Sequence, residues 1–400
     1  MKNISTPLYE FYNPVKVHSG INSLVKLPDA IKDLRINRPC LITDLGVEKA
    51  GLVSQLQTLA YLELEDIYNQ VPPDSSTETV HEISQLFNEI PCDGLIALGG
   101  GSVIDTAKAV SILISVNNKK NHLMDFSGYE VLKRPLKPLI AIPTTAGTGS
   151  EATGVAVIRD PHRNIKLGFM SQFLIPRVAF LDPHLTINLP PRITAATTMD
   201  ALSHAIESSI CLQRNPLSDA FGWTAIRLIK THLLPVLSED NTEERRLALA
   251  NAAYLAGIAL ANSIAGVIHS LGHAVGGIYH VPHGEAMNIF LPIGLEYNRR
   301  RVGNLIGNLL LPFVGKEIFS QIPVKNRAFK VIQMIQDLKQ NLFDLTGLPR
   351  TLTDLGISSN AEVNSEIAKN AINDGSVAFN PEPFEFTDAL TLLQKAYENS

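Results

Sequence analysis

The sequence predicts an α/β N-terminal domain with a parallel sheet, followed by an all-α C-terminal domain. Three observations carry this expectation. Short apolar runs closed by glycine or proline recur over residues 1–188, the pattern of strands buried on both faces. After Leu189-Pro190-Pro191 the β-type runs fade and helix-type periodicity takes over. The 400 residues, 45% hydrophobic, suffice for two cores. The expected domains are therefore 1–188 and 189–400.

In the first domain, 39–43 (PCLIT) is an apolar run that ends at Asp44-Leu45-Gly46. Residues 94–98 (GLIAL) form a second run, followed at once by Gly99-Gly100-Gly101-Ser102. Residues 138–142 (PLIAI) form a third, followed by a Thr- and Gly-rich loop at 144–150. In a parallel sheet, ligands sit beyond the carboxyl ends of the strands. The triple glycine lets backbone N–H groups approach an anion, and the helix that follows, VIDTAKAVSILIS, would offer its N-terminus to a pyrophosphate. The loop is neither GxGxxG nor a P-loop, and a tight turn would use the same residues. Asp44 is placed either to bond ribose hydroxyls and repel a 2′-phosphate or simply to cap a helix. Residues 160–168 suggest a hairpin connection, and 175–185 one more strand.

In the second domain, helices are expected over 193–212, 216–237, 243–268, 285–296, 301–318 and 325–345. Two of these regions carry chemistry. TMDALSHAIES at 198–208 sets Asp200 and His204 at i and i+4, on one helix face. NSIAGVIHSLGHAVGGIYHVPHGE at 262–285 holds His269, His273, His280 and His283 among small and apolar residues. Buried imidazoles need partners, so the cluster is either a set of satisfied core histidines or a metal or proton-transfer site. Joined with Asp200 and His204, it suggests a carboxylate and imidazoles around iron(II) or zinc.

Composition narrows the partners. A net charge of -5 argues against nucleic acid and anionic membranes. The three cysteines, Cys40, Cys92 and Cys211, form no CxxC pair and suggest buried thiols in a reducing compartment. No signal-peptide core and no membrane-spanning apolar run is visible, so a soluble cytoplasmic protein is expected.

Taken together, these motifs resemble the iron-containing (group III) alcohol dehydrogenase family over nearly the whole chain, from Phe11-Tyr12-Asn13-Pro14 to Phe379-Asn380-Pro381. GGGSVIDTAK at 99–108 and PTTAGTGSE at 143–151 look like its two cofactor loops. The resemblance implies a dehydroquinate synthase-like architecture and an oxidoreductase acting on small alcohols or aldehydes with NAD, or alternatively NADP. It implies Asp200, His204, His269 and His283 as ligands of Fe(2+), with Zn(2+) the alternative, and His273 in a supporting role in proton transfer. It implies cofactor contacts at Asp44, Asp74, Gly99, Gly100, Gly101, Ser102, Asp105, Thr144, Thr145 and Lys166, with an acid at position 44 favouring NAD. A homo-oligomer, at least a dimer, is also implied. Two positions depart from the family pattern: Asp74 and His280 both stand where relatives often have Asn. His280 is expected to pack or to hydrogen-bond. A metal-dependent lyase or synthase on the same architecture, and an NAD-binding sensor, are the competing readings.

Overall fold

The computed structural model describes residues 8–116, 122–163, 165–238 and 240–398. They group into two compact units, one spanning Asn13–Leu189 and the other the described residues of Met1–Tyr12 and Pro190–Ser400. The stretch up to Tyr12, expected with the first domain, groups with the helical unit. The Phe11 ring stacks on Phe221 at 5.6 Å, and the Tyr12 N–H donates to Asn262 Oδ1 at 2.7 Å.

The unit Asn13–Leu189 runs β1 (Lys16–Ser19), α1 (Leu27–Asp33), β2 (Pro39–Ile42), α2 (Leu45–Lys49), α3 (Leu52–Ala60), β3 (Asp66–Tyr68), α4 (Thr77–Glu89), β4 (Gly94–Gly99) and α5 (Gly101–Ser115). It continues through β5 (Gly128–Tyr129), β6 (Leu139–Pro143), β7 (Val155–Asp160), β8 (Ile165–Met170) and β9 (Val178–Leu181). Six strands form one sheet in the order β1-β9-β6-β4-β2-β3, and every pairing in it is parallel. Its central strands have no solvent face. Cys40, Ile42, Leu95, Ala97 and Ala141 pack with α4 and α5 on one side. Leu41, Ile96, Leu98, Ile140 and Ile142 pack with residues of α1 and α3 on the other. That two-sided burial is why these strands read as unbroken apolar runs. Each fully buried Leu or Ile contributes about 1.5–3 kcal/mol relative to exposure. Because β2, β4 and β6 are parallel, Asp44, Gly99–Ser102 and Thr144–Thr145 all follow strand carboxyl ends on one edge of the sheet. The expected hairpin is present: β7 and β8 pair antiparallel, with β5 beside β8.

The other unit is helical: α6 (Pro191–Ile210), α7 (Pro216–Leu237), α8 (Glu243–Ala261), α9 (Val267–Tyr279), α10 (His283–Asn308), α11 (Leu310–Gln321), α12 (Val324–Thr346), α13 (Ala361–Ile372) and α14 (Phe386–Tyr397). Pro191 starts α6 at a position where a missing N–H costs nothing. From Thr198 to Ile210 every residue of α6 is buried, so α6 is the axis of the unit. The expected helix 243–268 is in fact two. The chain leaves α8 at Asn262, passes Ile264 in the left-handed region at φ 75°, and restarts after Gly266. Conversely, the stretch expected as 285–296 runs on to Asn308, interrupted at Val302 by non-helical angles, and α11 follows it. No helix among the described residues is long and apolar enough to cross a membrane.

Candidate active site

Asp200 and His204 occupy successive turns of α6, His269 lies on α9, and His283 is the first residue of α10. One ligand atom from each of these four lies within 4.8 Å of the others. The nitrogens face the carboxylate: Asp200 Oδ1 is 3.1 Å from His283 Nε2, 3.5 Å from His204 Nε2 and 3.9 Å from His269 Nε2. Asp200, His204 and His269 are buried, while the His283 side chain is 36% exposed and leaves one open side. Asp200 Oδ1 and His269 Nε2 are buried without a hydrogen bond. Such atoms are expensive to desolvate unless a cation meets them. Burial alone would raise the Asp200 carboxyl, but the imidazoles of His204 and His283 outweigh it and hold the group well below the usual carboxylate range. Burial pushes His204 down to about 4 and His269 down to about 3, so both imidazoles are neutral and their lone pairs are available. One carboxylate oxygen and three imidazole nitrogens suit a divalent transition ion, zinc and iron(II) alike. The residues fit the metal that the sequence resemblance implies.

Two carboxylates support this cluster. Glu207, on the same α6, bonds His269 Nδ1 through Oε2 and accepts the Ile268 N–H at 2.9 Å through Oε1. Burial raises the Glu207 carboxyl to about 7, against the backbone N–H groups that stabilise its anion. A carboxylate on Nδ1 fixes the ring so that Nε2 turns toward Asp200. Asp374 does the same for His273, with Oδ2 2.9 Å from Nδ1. Its other oxygen caps the turn Gly375–Phe379, accepting the Ser376 N–H at 2.8 Å. The His273 ring stacks on His283 at 5.2 Å and meets His269 edge-on at 5.8 Å. Glu207 and Asp374 were missed from the sequence. Glu207 stands three positions after His204 on the same helix, so the helical spacing carried a signal for it. Asp374 is 101 positions from His273, and nothing local announces it. His280 hydrogen-bonds through its backbone, donating its N–H to Gly276 O at 3.0 Å. It is exposed and C-caps α9 at φ 55°, where its backbone conformation is what the chain uses. Asn is among the few side chains that adopt that conformation readily, which accounts for the alternative residue there.

The residues expected to contact the nucleotide all lie in the unit Asn13–Leu189. Gly99 ends β4, Gly100 precedes α5 without a side-chain cap, and Gly101 and Ser102 form the first turn. The leading N–H groups of α5 therefore face no capping side chain of their own and suit an anion. The cradle admits backbone only. A Cβ on Gly101 would lie 2.6 Å from Thr148 Cγ2, and one on Gly99 2.5 Å from Val103 Cγ2. Thr144 donates its N–H to Gly99 O at 3.0 Å, and Thr145 Oγ1 stands 3.4 Å from where a Gly100 Cβ would be. Asp44 caps α2, with Oδ1 accepting from Gly46 N at 2.7 Å and Val47 N at 2.9 Å. Asp105 turns to the second loop, bonding Ser150 Oγ at 2.5 Å and Val157 N at 3.0 Å. Beside it the sequence missed Lys108. This lysine is wholly buried, with Nζ on Ser150 Oγ at 2.7 Å, Thr153 Oγ1 at 3.2 Å and Val155 O at 2.6 Å. Burial lowers its ammonium to about 8 and raises the neighbouring Glu151 carboxyl to about 7. Asp74 and Lys166 form an ion pair at 2.8 Å. The donor pattern fits a dinucleotide.

Comparison with known proteins identifies the family. The iron-containing alcohol dehydrogenase model matches residues 14–183, and the C-terminal model of the Fe-containing alcohol dehydrogenase family matches 194–397. The NAD-dependent methanol dehydrogenase of Bacillus methanolicus is 30% identical over 388 residues, covering 96% of this chain and 99% of that one. The 1,3-propanediol dehydrogenase of Klebsiella pneumoniae is 31% identical over 405 residues, covering 98% and 100%. Among solved structures, an alcohol dehydrogenase from Oenococcus oeni superposes with a TM-score of 0.90 at 31% identity, covering 98% of this chain and 100% of that one. A 1,3-propanediol oxidoreductase gives a TM-score of 0.91 at 29% identity with the same coverage. With both family models matched, relatives aligned end to end and the four-residue donor cluster in place, this chain belongs to the iron-containing alcohol dehydrogenase family.

Proposed function

We propose that this member of the family oxidises small primary alcohols or diols with NAD, and reduces the corresponding aldehydes, at an iron(II) ion held by Asp200, His204, His269 and His283. The observation that supports this most is the convergence of three imidazole nitrogens on a buried Asp200 oxygen that makes no hydrogen bond. Bound there, the ion supplies Lewis acidity toward an alcohol or carbonyl oxygen. The protein's own residues do the rest. The first turn of α5, with Gly99, Gly100, Gly101 and Ser102, holds the pyrophosphate, and Thr144 and Thr145 wall that loop. Asp44 keeps one carboxylate oxygen on its helix, and its other oxygen would accept from ribose hydroxyls and disfavour a 2′-phosphate. His273 carries Nδ1–H, fixed by Asp374, and so presents Nε2 as the atom that takes the substrate's hydroxyl proton. The sequence has no cluster of Arg or Lys near the metal motifs, which favours neutral substrates over phosphorylated ones. The named substrates of two relatives, methanol and 1,3-propanediol, fall in that class. Three buried free thiols suit a reducing, cytoplasmic setting, and a homo-oligomer, at least a dimer, is the assembly the family resemblance implies.

The test is cofactor turnover at 340 nm with anaerobically purified protein, loaded with iron(II) or zinc and offered short alcohols and aldehydes with NAD or NADP. Metal-dependent reduction of free NAD is expected. Full activity in a His269→Ala or His283→Ala variant without bound metal would sink the assignment. Metal-bound protein that turns nothing over across the panel would favour a lyase or a sensor.

A further inference from the structure

Lys166 stands on β8 in register with Arg159 of β7, and its Nζ lies 2.8 Å from Asp74 Oδ1. Asp74 has φ 53°, and its N–H meets Ser102 Oγ at 3.3 Å. Ser102 belongs to the first turn of α5, so the pair is tied to the helix end that favours an anion. The two side chains are 34% and 40% exposed, so a ligand can reach them, and their pairing adds little to the stability of the fold. Its consequence is electrostatic. An ammonium near this turn is a ready counter-charge for a nucleotide's phosphates, and here it already has a partner in the chain.

We infer that Asp74 is an affinity-setting residue: by pairing with Lys166 it withholds that cation from the phosphates of a bound nicotinamide dinucleotide and weakens retention of the cofactor. The inference rests on the dinucleotide reading of the α5 loop and deepens it. Asp74→Asn isolates the effect. Asn tolerates the left-handed conformation as Asp does, has nearly the same volume, and lacks the charge.

The experiment is an NADH fluorescence titration of the full-length chain, comparing wild type, Asp74→Asn, Lys166→Met and the double variant at low and high salt. Asp74→Asn is expected to tighten NADH by about 3–10-fold at low ionic strength, with the gain shrinking as salt rises. Lys166→Met is expected to weaken binding, and adding Asp74→Asn to it to tighten NADH by less than Asp74→Asn does in the wild type. Unchanged or weaker binding by Asp74→Asn overturns the inference, as does a gain of the same size in the Lys166→Met background, which would make Asp74 act without the lysine. If wild type binds no NADH, the dinucleotide reading falls and takes the inference with it. If wild type binds NADH and Asp74→Asn shows no gain, the inference alone falls.

Discussion

At Asp200 a carboxylate oxygen is buried against three imidazole nitrogens, a donor set that suits a cation. The residues behind this cluster are testable separately. Glu207→Gln keeps a hydrogen-bonding group on His269 but loses the anion that orients it. Its metal affinity is expected to fall by about 10–100-fold in a competition titration with a chelating dye. Asp374→Asn should behave differently. It bonds His273 and not the four clustered residues, so metal content is expected to stay whole while kcat drops on the order of 10²-fold. Parallel loss of metal in Asp374→Asn would mean that the pair is only structural. The sequence made the candidate metal cluster legible because Asp200 and His204 share a helix face and His269 sits in a run too apolar for an idle imidazole, and the structure brings them together. It could not show Asp374, whose partner is far along the chain, or the pairing of Asp74 with Lys166, which needs the turn after β3 and the hairpin β7–β8 at once.

Elements position these residues through close helix packing, and glycine marks where that packing has no slack. Gly284, one residue after His283, lies against α6, where an added Cβ would overlap the Ala196 carbonyl. A backbone group cannot rotate aside, so Gly284→Ala is expected to destabilise the protein by about 1–3 kcal/mol in thermal or denaturant unfolding. Gly277, near the end of α9, has nothing within 4 Å of the point where a Cβ would stand. Gly277→Ala should be neutral or stabilising by about 0.4–1 kcal/mol, since alanine restricts the unfolded chain. Similar losses at both positions would refute the packing account. Element types were largely legible where burial was two-sided, as in β2, β4 and β6. Element ends were less so, because the break between α8 and α9 rests on Asn262, on Ile264 at φ 75° and on Gly266, none of which interrupts the apolar pattern of 243–268.

For the whole molecule, buried titratable groups set the response to pH. Glu151 binds its proton more tightly folded than unfolded, with its carboxyl raised to about 7 from 4.5. The native state therefore holds more protons across that window, and stability from this group falls as pH rises from about 4.5 to 7. Lys108 is lowered to about 8 from 10.5, so the unfolded state holds more protons above 8 and stability from this group rises from there to about 10.5. Glu151→Gln is expected to flatten the lower slope in denaturant unfolding curves taken across pH, and an unchanged slope would show that another group produces it. Metal adds a further dependence. Any ion that binds the folded cluster and not the unfolded chain raises Tm, so chelation should lower it, and readdition of iron(II) or zinc should restore it.

The return of the N-terminal stretch to the helical unit carries a consequence for how the chain is made. Tyr12 finds its partner Asn262 only 250 positions later. On a ribosome adding about 5–20 residues per second, the segment waits on the order of 10–50 s after emerging before its docking site exists. The sheet of Asn13–Leu189 has its full sequence in hand during that interval, whereas the helical unit must be closed from both ends of the chain and comes last. Removing residues up to Tyr12 should therefore spare early collapse of the sheet and show itself as slower, more aggregation-prone completion of the helices around Phe221, measurable as a delayed late phase in refolding.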